Sequence, residues 1–146
     1  MIKQVLAATD LPTINEIKDA QELVYAIMPP TPQIVWPLLC ERLGAEVWVK
    51  HENHTPIGAF KARTAVVYTA ELFRTSANIS GLVTATRGNH GQAVALAASR
   101  FKVPAHVVVP RGNSAEKNAA MRALGADLVE HGRDFQDALE YANVIV

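Results

Sequence analysis

Apolar and polar residues alternate along the chain in two different periods. Apolar residues recur at helical spacing over 17–27, after a T-x-x-E capping box that begins at Thr13, and again over 62–73. Short runs with strand-like composition at 81–85 and 105–109 separate such helical stretches. Strands that alternate with helices are typical of a parallel sheet covered by helices. The pattern therefore predicts an α/β fold with an open parallel sheet and flanking helices.

The same pattern, read with proline and glycine positions, assigns the individual elements. The predicted helices cover 13–27, 37–44, 58–74, 91–100, 113–124 and 134–141. The predicted strands cover 46–52, 81–85, 105–109 and 127–130. Asn113 and Glu116 are expected to cap the fifth helix and Gly125 to end it. Prolines 29, 30 and 32 predict an extended segment after the first helix, because proline cannot continue the helical hydrogen bonds.

Composition excludes several kinds of partner. Fourteen Lys and Arg residues balance fourteen Asp and Glu residues, so there is no excess of positive charge to hold nucleic acid. Cys40 is the only cysteine, which excludes an internal disulfide and multi-cysteine metal clusters. No apolar run approaches the ~18 residues that a membrane helix needs. We expect a cytoplasmic protein with no membrane or nucleic-acid partner.

A metal site is not expected either. The segment His51-Glu52-Asn53-His54 is one residue short of the H-E-x-x-H pattern, and it follows a predicted strand. It therefore lacks the helical pairing of two histidines that zinc binding by this motif requires.

Two predicted strand-to-helix turns carry most of the chemically useful side chains. The first, 50–61, ends on Lys61, and the second, 84–91, places glycines on either side of Asn89 and His90. Ligands of open parallel sheets bind where strands end and helices begin. Glycine permits a close backbone approach, and free N–H groups at a helix start suit an anion.

These segments, in this order and spacing, resemble the fold-type II pyridoxal-phosphate enzymes, and the serine/threonine dehydratases in particular. The matching segments share their order with the motifs of that family. They are Thr31-Pro32, Lys50-His51-Glu52-Asn53 for K-x-E-N, Ala59-Phe60-Lys61-Ala62-Arg63-Thr64-Ala65 for S-F-K-x-R-G-A, Thr86-Arg87-Gly88-Asn89-His90-Gly91-Gln92 for S-x-G-N-H-x-Q, Val107-Val108-Val109-Pro110, Lys117, and Leu124-Gly125-Ala126.

The resemblance implies a site for pyridoxal 5'-phosphate and an amino-acid substrate. Lys61 would form the Schiff base with the cofactor aldehyde and then act as the base that removes the α-proton of the substrate. Asn89 would hydrogen-bond the ring hydroxyl of the cofactor, and Phe60 would border the cofactor. The remaining candidates would line the substrate site: Thr86, Arg87, Gly88 and His90.

The implied reaction is that of a dehydratase, also called an ammonia-lyase. Water is eliminated from L-threonine, L-serine or a related β-hydroxy amino acid, and hydrolysis of the resulting aminoacrylate yields a 2-keto acid and ammonia. Ala59 and Thr64 depart from the family pattern of serine and glycine at these positions, so local packing there is expected to differ. The segment also resembles the dehydratase subgroup associated with ectoine and hydroxyectoine breakdown.

Arg87 is the departure that bears most directly on the reaction. It stands where the serine racemase relatives carry a serine that acts on the opposite face of the substrate, which disfavours racemisation. Two interpretations of Arg87 remain open. It offers a charged fork to an extra substrate carboxylate, or it points to solvent, as loop arginines usually do.

The family also implies how the chain is organised. Its members have a tryptophan synthase β-like fold and are more than twice as long, and their C-terminal half supplies a glycine-rich loop that grips the cofactor phosphate. We therefore expect residues 1–50 to be an arm belonging to the large domain and residues 51–146 to form the small αβ domain with Lys61 and the loop that contains Asn89. The full-length protein is expected to be a homo-oligomer.

Two alternatives to an active dehydratase remain open at this stage. One is a truncated, non-catalytic remnant that does not bind the cofactor, and the 146-residue chain by itself is expected to be inactive. The other is a different fold-type II reaction, such as cysteine synthase or threonine synthase chemistry.

Overall fold

The computed structural model describes residues 11–146, which form helices and strands in alternation. The α-helices are α1 (Ile14–Tyr25), α2 (Pro37–Leu43), α3 (Lys61–Thr75), α4 (Asn89–Phe101), α5 (Ala115–Ala123) and α6 (Phe135–Val144). The strands are β1 (Gln33–Val35), β2 (Trp48–Lys50), β3 (Leu82–Ala85), β4 (Ala105–Val109) and β5 (Asp127–Glu130). A short 3-10 helix covers Glu52–His54.

The main sheet has three parallel strands in the order β3-β4-β5. Helix α6 packs on one face through Ala138 and Ala142, next to Val108 of the central strand. Helices α4 and α5 cover the opposite face, where Met121 of α5 packs with Val107. A central strand that is covered on both faces is consistent with its run of buried valines, Val107 to Val109. The predicted parallel sheet with flanking helices is confirmed.

The strand predicted at 46–52 forms, but outside the main sheet. It is shortened to β2 and pairs antiparallel with β1, with Ile34 opposite Val49. The backbone N–H of His51 extends this contact by donating to the carbonyl of Pro32 at 2.8 Å. Trp48 and Lys50 are exposed while Val49 is half-buried, so β2 lacks the two covered faces of a central parallel strand.

Side-chain caps mark where helices α1 and α5 begin. The predicted capping box of α1 is confirmed, because the Thr13 hydroxyl accepts from the Glu16 amide at 3.2 Å and the Glu16 carboxylate accepts from the Thr13 amide. The predicted cap of α5 at Asn113 is wrong. Ser114 caps that helix, since the Asn113 side chain instead donates to the side-chain oxygen of buried Asn118 at 2.7 Å.

Helix α3 begins at Lys61 rather than at residue 58. Gly58 has φ +63°, a left-handed conformation that an α-helix cannot contain and that glycine adopts without strain. The buried Thr55 hydroxyl closes the turn, because it accepts from the Ala59 amide at 2.9 Å and donates to the Ala59 carbonyl at 2.8 Å. This turn places Lys61 at the first position of the helix.

Helix α1 shares a core with α3 and α4. Val24 and Met28 are buried against Ala62 of α3 and Ala93 and Ala97 of α4. Small alanines allow the helices to approach closely, so residues from the predicted arm contribute to the same core as the predicted small domain. The first ten residues of that arm lie outside the described residues, and the division at residue 50 stays a prediction. Within 11–146, no helix is long and apolar enough to cross a membrane.

Candidate functional site

Lys61 lies between two cavities at the start of α3. One cavity, of about 560 Å³, is lined by Phe60 and Lys61, by α3 and by strand β3. The other, of about 520 Å³, lies at the carboxyl end of the sheet. Lys61 and His90 line both cavities, which places them on the boundary between the two. The amine of Lys61 is therefore within reach of a ligand in either space.

The asparagine loop, defined as residues 86–90, connects the end of β3 to α4. Thr86 is buried, and its amide donates to the carbonyl of Val108 at 2.9 Å, so the loop begins as a continuation of the sheet. The Thr86 hydroxyl accepts from the amides of Gly88 and Gly91 at 3.1 and 3.3 Å. One side chain thus folds the loop back on itself and fixes the start of α4.

Gly91 lets α4 pack closely on the sheet and on α5. A Cβ atom at this position would lie 2.5 Å from both the Met121 sulfur and the Thr86 methyl, and 3.0 Å from a methyl of Val107. No side chain fits there without displacement of its neighbours. Because Gly91 has no side chain, the first turn of α4 can pack closely on its neighbours at this position beside the cavity.

The 520 Å³ cavity brings most of the predicted site residues together. It is lined by Lys61, Ala85, Thr86, Arg87, Gly88, Asn89, His90, Lys117 and Phe135. Phe60 is separated from this group, because it is 59% exposed and lines the neighbouring cavity instead. The structure thus unites Lys61 with the asparagine loop, from regions of the sequence more than twenty residues apart, and leaves Phe60 at the edge.

Three residues that the sequence did not assign to the site also line the cavity: Ala85, Lys117 and Phe135. Lys117 appeared in the sequence only as one position of the matching motif series, and Phe135 carried no signal. A Cβ atom at Gly88 would lie 3.0 Å from Cδ and 3.3 Å from Nζ of Lys117, so this lysine extends from α5 directly over Gly88. The glycine is what makes room for the amine of Lys117.

The first turn of α4 offers uncharged donors to the cavity. The amides of Asn89 and His90 have no hydrogen-bond acceptor within residues 11–146, as expected for the first positions of a helix. The pKa of His90 is lowered from its usual value, first by partial burial and second by the nearby charge of Lys61. The lowered pKa favours the neutral form of His90, which retains one N–H donor.

A partly buried ion pair between Arg63 and Glu52 fixes the start of α3, the helix that carries Lys61. Arg63 donates to the two carboxylate oxygens of Glu52 at 2.7 and 2.9 Å. The Thr31 hydroxyl donates to the same carboxylate at 2.6 Å and accepts from Arg63 at 3.3 Å. These contacts hold the pKa of Glu52 at about 2, mainly through the hydrogen bond from Arg63. Thr31, Glu52 and Arg63, from three separate segments, thus meet in one cluster, and Arg63 lies two residues after Lys61.

Comparisons with known proteins agree with this geometry. The family model for "Pyridoxal-phosphate dependent enzyme" matches residues 26–146. The L-threo-3-hydroxyaspartate ammonia-lyase of Saccharomyces cerevisiae is 34% identical over 127 residues, which are 87% of this chain and 39% of that protein. The L-threonine ammonia-lyase of Thermotoga maritima is 37% identical over 130 residues, which are 89% of this chain and 32% of that protein.

Solved structures show the same fold. A crystal structure of a pyridoxal 5'-phosphate-dependent aspartate racemase superposes with a TM-score of 0.83 at 30% identity, over 91% of this chain and 42% of that one. The chain described here thus spans less than half the length of these relatives. The chain belongs to the fold-type II pyridoxal-phosphate-dependent enzymes, in the serine/threonine dehydratase family.

The described residues fit the cofactor of this family. An aldehyde cofactor needs a primary amine on a cavity wall, and Lys61 supplies it. A polar aromatic ring needs a side-chain hydrogen-bonding group nearby, and the Asn89 amide lines the same cavity. No group of three or more His, Cys, Asp or Glu side chains within 11–146 is arranged to hold a metal ion.

Proposed function

We propose that the protein is a pyridoxal-phosphate-dependent ammonia-lyase that eliminates water from a β-hydroxy amino acid such as L-threonine or L-serine. Hydrolysis of the enamine left by the elimination takes up one water, and the products are a 2-keto acid and ammonia. The observation that carries the proposal is the shared cavity, which places Lys61 and the whole asparagine loop around one space of about 520 Å³. Similarity to two ammonia-lyases supports the same reaction class.

Lys61 is proposed as the catalytic residue. When bound, pyridoxal phosphate withdraws electrons from the α-carbon of the substrate and so makes its proton removable. We assign to the Nζ of Lys61, at the start of α3, the attachment of the cofactor and then the removal of this proton. The ion pair between Arg63 and Glu52 keeps the first turn of α3 in position during the transfer.

The asparagine loop is proposed to hold and orient the substrate. The free amides of Asn89 and His90 lie at the positive end of the α4 dipole, which favours the substrate α-carboxylate. Neutral His90 and buried Thr86 line the same space, and the Asn89 side chain is assigned to the cofactor ring. Phe60, beside Lys61 in the neighbouring cavity, is assigned to the outer edge of the cofactor.

Racemisation is the second candidate function. It is favoured by similarity to racemases, namely an aspartate racemase at a TM-score of 0.83 and a serine racemase at 30% identity. Arg87 argues against it, because an arginine does not replace the serine that acts as acid or base in the serine racemases. Chiral analysis of the amino acid that remains after partial reaction separates the two reactions, since a lyase forms no D-enantiomer.

Ammonia release from L-threonine and L-serine tests the proposal. The full-length, cofactor-loaded protein should form 2-keto acid and ammonia in equal amounts. Lys61→Ala should lower turnover by at least ~10³-fold, since proton transfer and cofactor attachment are both lost. Lys102→Ala is the matched control, because Lys102 is an exposed lysine at the end of α4 and lines neither cavity. Full activity in Lys61→Ala would refute the assignment.

The organisation of the whole protein is part of the proposal. Residues 1–50 are proposed to pack against the large domain of a longer chain, and 51–146 to form the small domain. Exposed apolar side chains on the described part of the arm support this, among them Trp36, Leu38 and Trp48. A cytoplasmic homo-oligomer and membership of the hydroxyectoine subgroup remain predictions. The alternative, a non-catalytic remnant, predicts that the full-length protein does not bind pyridoxal phosphate.

A further inference from the structure

The 520 Å³ cavity has a strongly one-sided charge. Its lining includes the basic side chains of Lys61, Arg87 and Lys117, and no Asp or Glu. None of these three side chains forms an ion pair with any residue in 11–146, where the ion pairs involve other cations. Like charges that share a cavity repel one another, so the arrangement favours an anionic ligand.

The charge exceeds what a substrate with one carboxylate needs. In the proposed function, the α-carboxylate is bound by uncharged donors at the start of α4, and Lys61 serves the cofactor and the proton transfer. Arg87 and Lys117 then remain as two cations with no assigned partner. They come from different elements, the asparagine loop and α5, and both line the same cavity, with Lys117 over Gly88.

Lys117 is exposed, but its side chain lies against the asparagine loop. Its Cδ and Nζ lie 3.0 and 3.3 Å from the place where a Cβ of Gly88 would stand. The Ser114 cap and the buried Asn118, which binds Asn113 and Glu130, fix the turn of α5 that carries it.

From these observations, we infer that Arg87 and Lys117 select a substrate with a second carboxylate on the β-carbon, that is, a 3-hydroxy dicarboxylic amino acid of the hydroxyaspartate type. This inference rests on the proposed function and names its substrate class. The guanidinium of Arg87 provides a planar fork that matches a carboxylate, and the ammonium of Lys117 provides a point charge beside it. Serine and threonine leave both cations unpaired.

Arg87 and Lys117 could also bind the phosphate of the cofactor. The experiment therefore distinguishes binding of a second carboxylate from binding of this phosphate. Malonate, which has two carboxylates, and acetate, which has one, are titrated into the full-length protein by calorimetry. Arg87→Gln and Lys117→Gln should each weaken malonate binding by about tenfold or more and change the affinity for acetate far less. Lys117→Arg keeps the charge and should restore most of the affinity for malonate.

The matched control is Arg111→Gln. Arg111 is exposed, follows β4 at the same end of the sheet and does not line the cavity. Its substitution should leave malonate binding unchanged, which shows that net charge alone does not determine the result. The binding of pyridoxal phosphate and of pyridoxal is measured for the same variants. A loss of affinity for pyridoxal phosphate but not for pyridoxal would assign the two cations to the phosphate and overturn the inference.

Kinetics provide the second measurement. The ratio of kcat/KM for L-threo-3-hydroxyaspartate to that for L-serine should fall by about tenfold or more in Arg87→Gln. An unchanged ratio, or equal malonate affinity in the wild type and both Gln variants, would overturn the inference while leaving the ammonia-lyase proposal intact. Conversely, malonate binding that depends on Arg87 in a protein that releases no ammonia from any substrate would support the dicarboxylate site and refute the reaction.

Discussion

Arg63 holds both carboxylate oxygens of Glu52, with Nε at 2.7 Å from Oε2 and Nη2 at 2.9 Å from Oε1. The pair is only about a quarter exposed, with 26% of the arginine and 24% of the glutamate side chain accessible. It ties the 3-10 turn after β2 to the first turn of α3, two residues from Lys61. Its strength therefore bears on both the stability of the fold and the position of the catalytic lysine.

Stability should fall in acid between pH 4.5 and pH 2 because of Glu52. Its pKa is about 2 in the folded protein and 4.5 as the ordinary value, so the folded state favours the ionised carboxylate. This contribution is complete above pH 4.5 and is lost as the pH falls toward 2. After allowance for solvent screening, it amounts to about 2 kcal/mol. Urea unfolding of the wild type and Glu52→Gln across this range measures it.

The control for this prediction is Glu71→Gln. Glu71 also accepts two hydrogen bonds from an arginine, Arg74, but the pair lies on the exposed surface of α3. Solvent screens such pairs, so this variant should unfold like the wild type at every pH. An equal loss in the two variants would show that the position of Glu52 confers no special stability.

Thr86 should be required for the shape of the asparagine loop. Thr86→Val keeps the volume but removes the acceptor of the Gly88 and Gly91 amides, which leaves two donors unpaired near a buried position. The expected loss is about 1–3 kcal/mol in the free energy of unfolding, with a larger KM for the amino-acid substrate. Thr86→Ser retains the hydroxyl and should keep the loop geometry. Similar stability in the Val and Ser variants would contradict this role.

Gly91→Ala should destabilise the fold although alanine favours helices. Its methyl group would lie 2.5 Å from the Met121 sulfur and from the Thr86 methyl, so α4 has to shift away from the sheet. Such overpacking costs about 1–3 kcal/mol. Thermal unfolding provides the measurement, and Ser99→Ala in the exposed part of the same helix should be neutral or slightly stabilising. A stabilised Gly91→Ala would show that the first turn of α4 is not tightly packed.

The local order of elements is largely predictable from this sequence. The capping box at Thr13, the run at 105–109 and the alanine-rich α4 are determined by hydrogen bonding and burial among near neighbours. The prediction that Asn113 caps α5 is wrong because the Asn113 side chain binds Asn118. This contact depends on where the buried Asn118 lies in the fold. The start of α3 was placed too early because the left-handed Gly58 belongs to the turn before the helix.

The sequence alone predicts the alternating αβ order and, through its motif series, the family and the candidates Lys61 and Asn89. Periodicity and motif spacing are properties of neighbouring residues, so they need no knowledge of the fold. Only the tertiary structure shows which of the predicted site residues line the same cavity. It brought Lys61 to the asparagine loop, left Phe60 in the neighbouring cavity and added Lys117 over Gly88. These are contacts between distant segments, which only the packing of α3, α4 and α5 on the sheet creates.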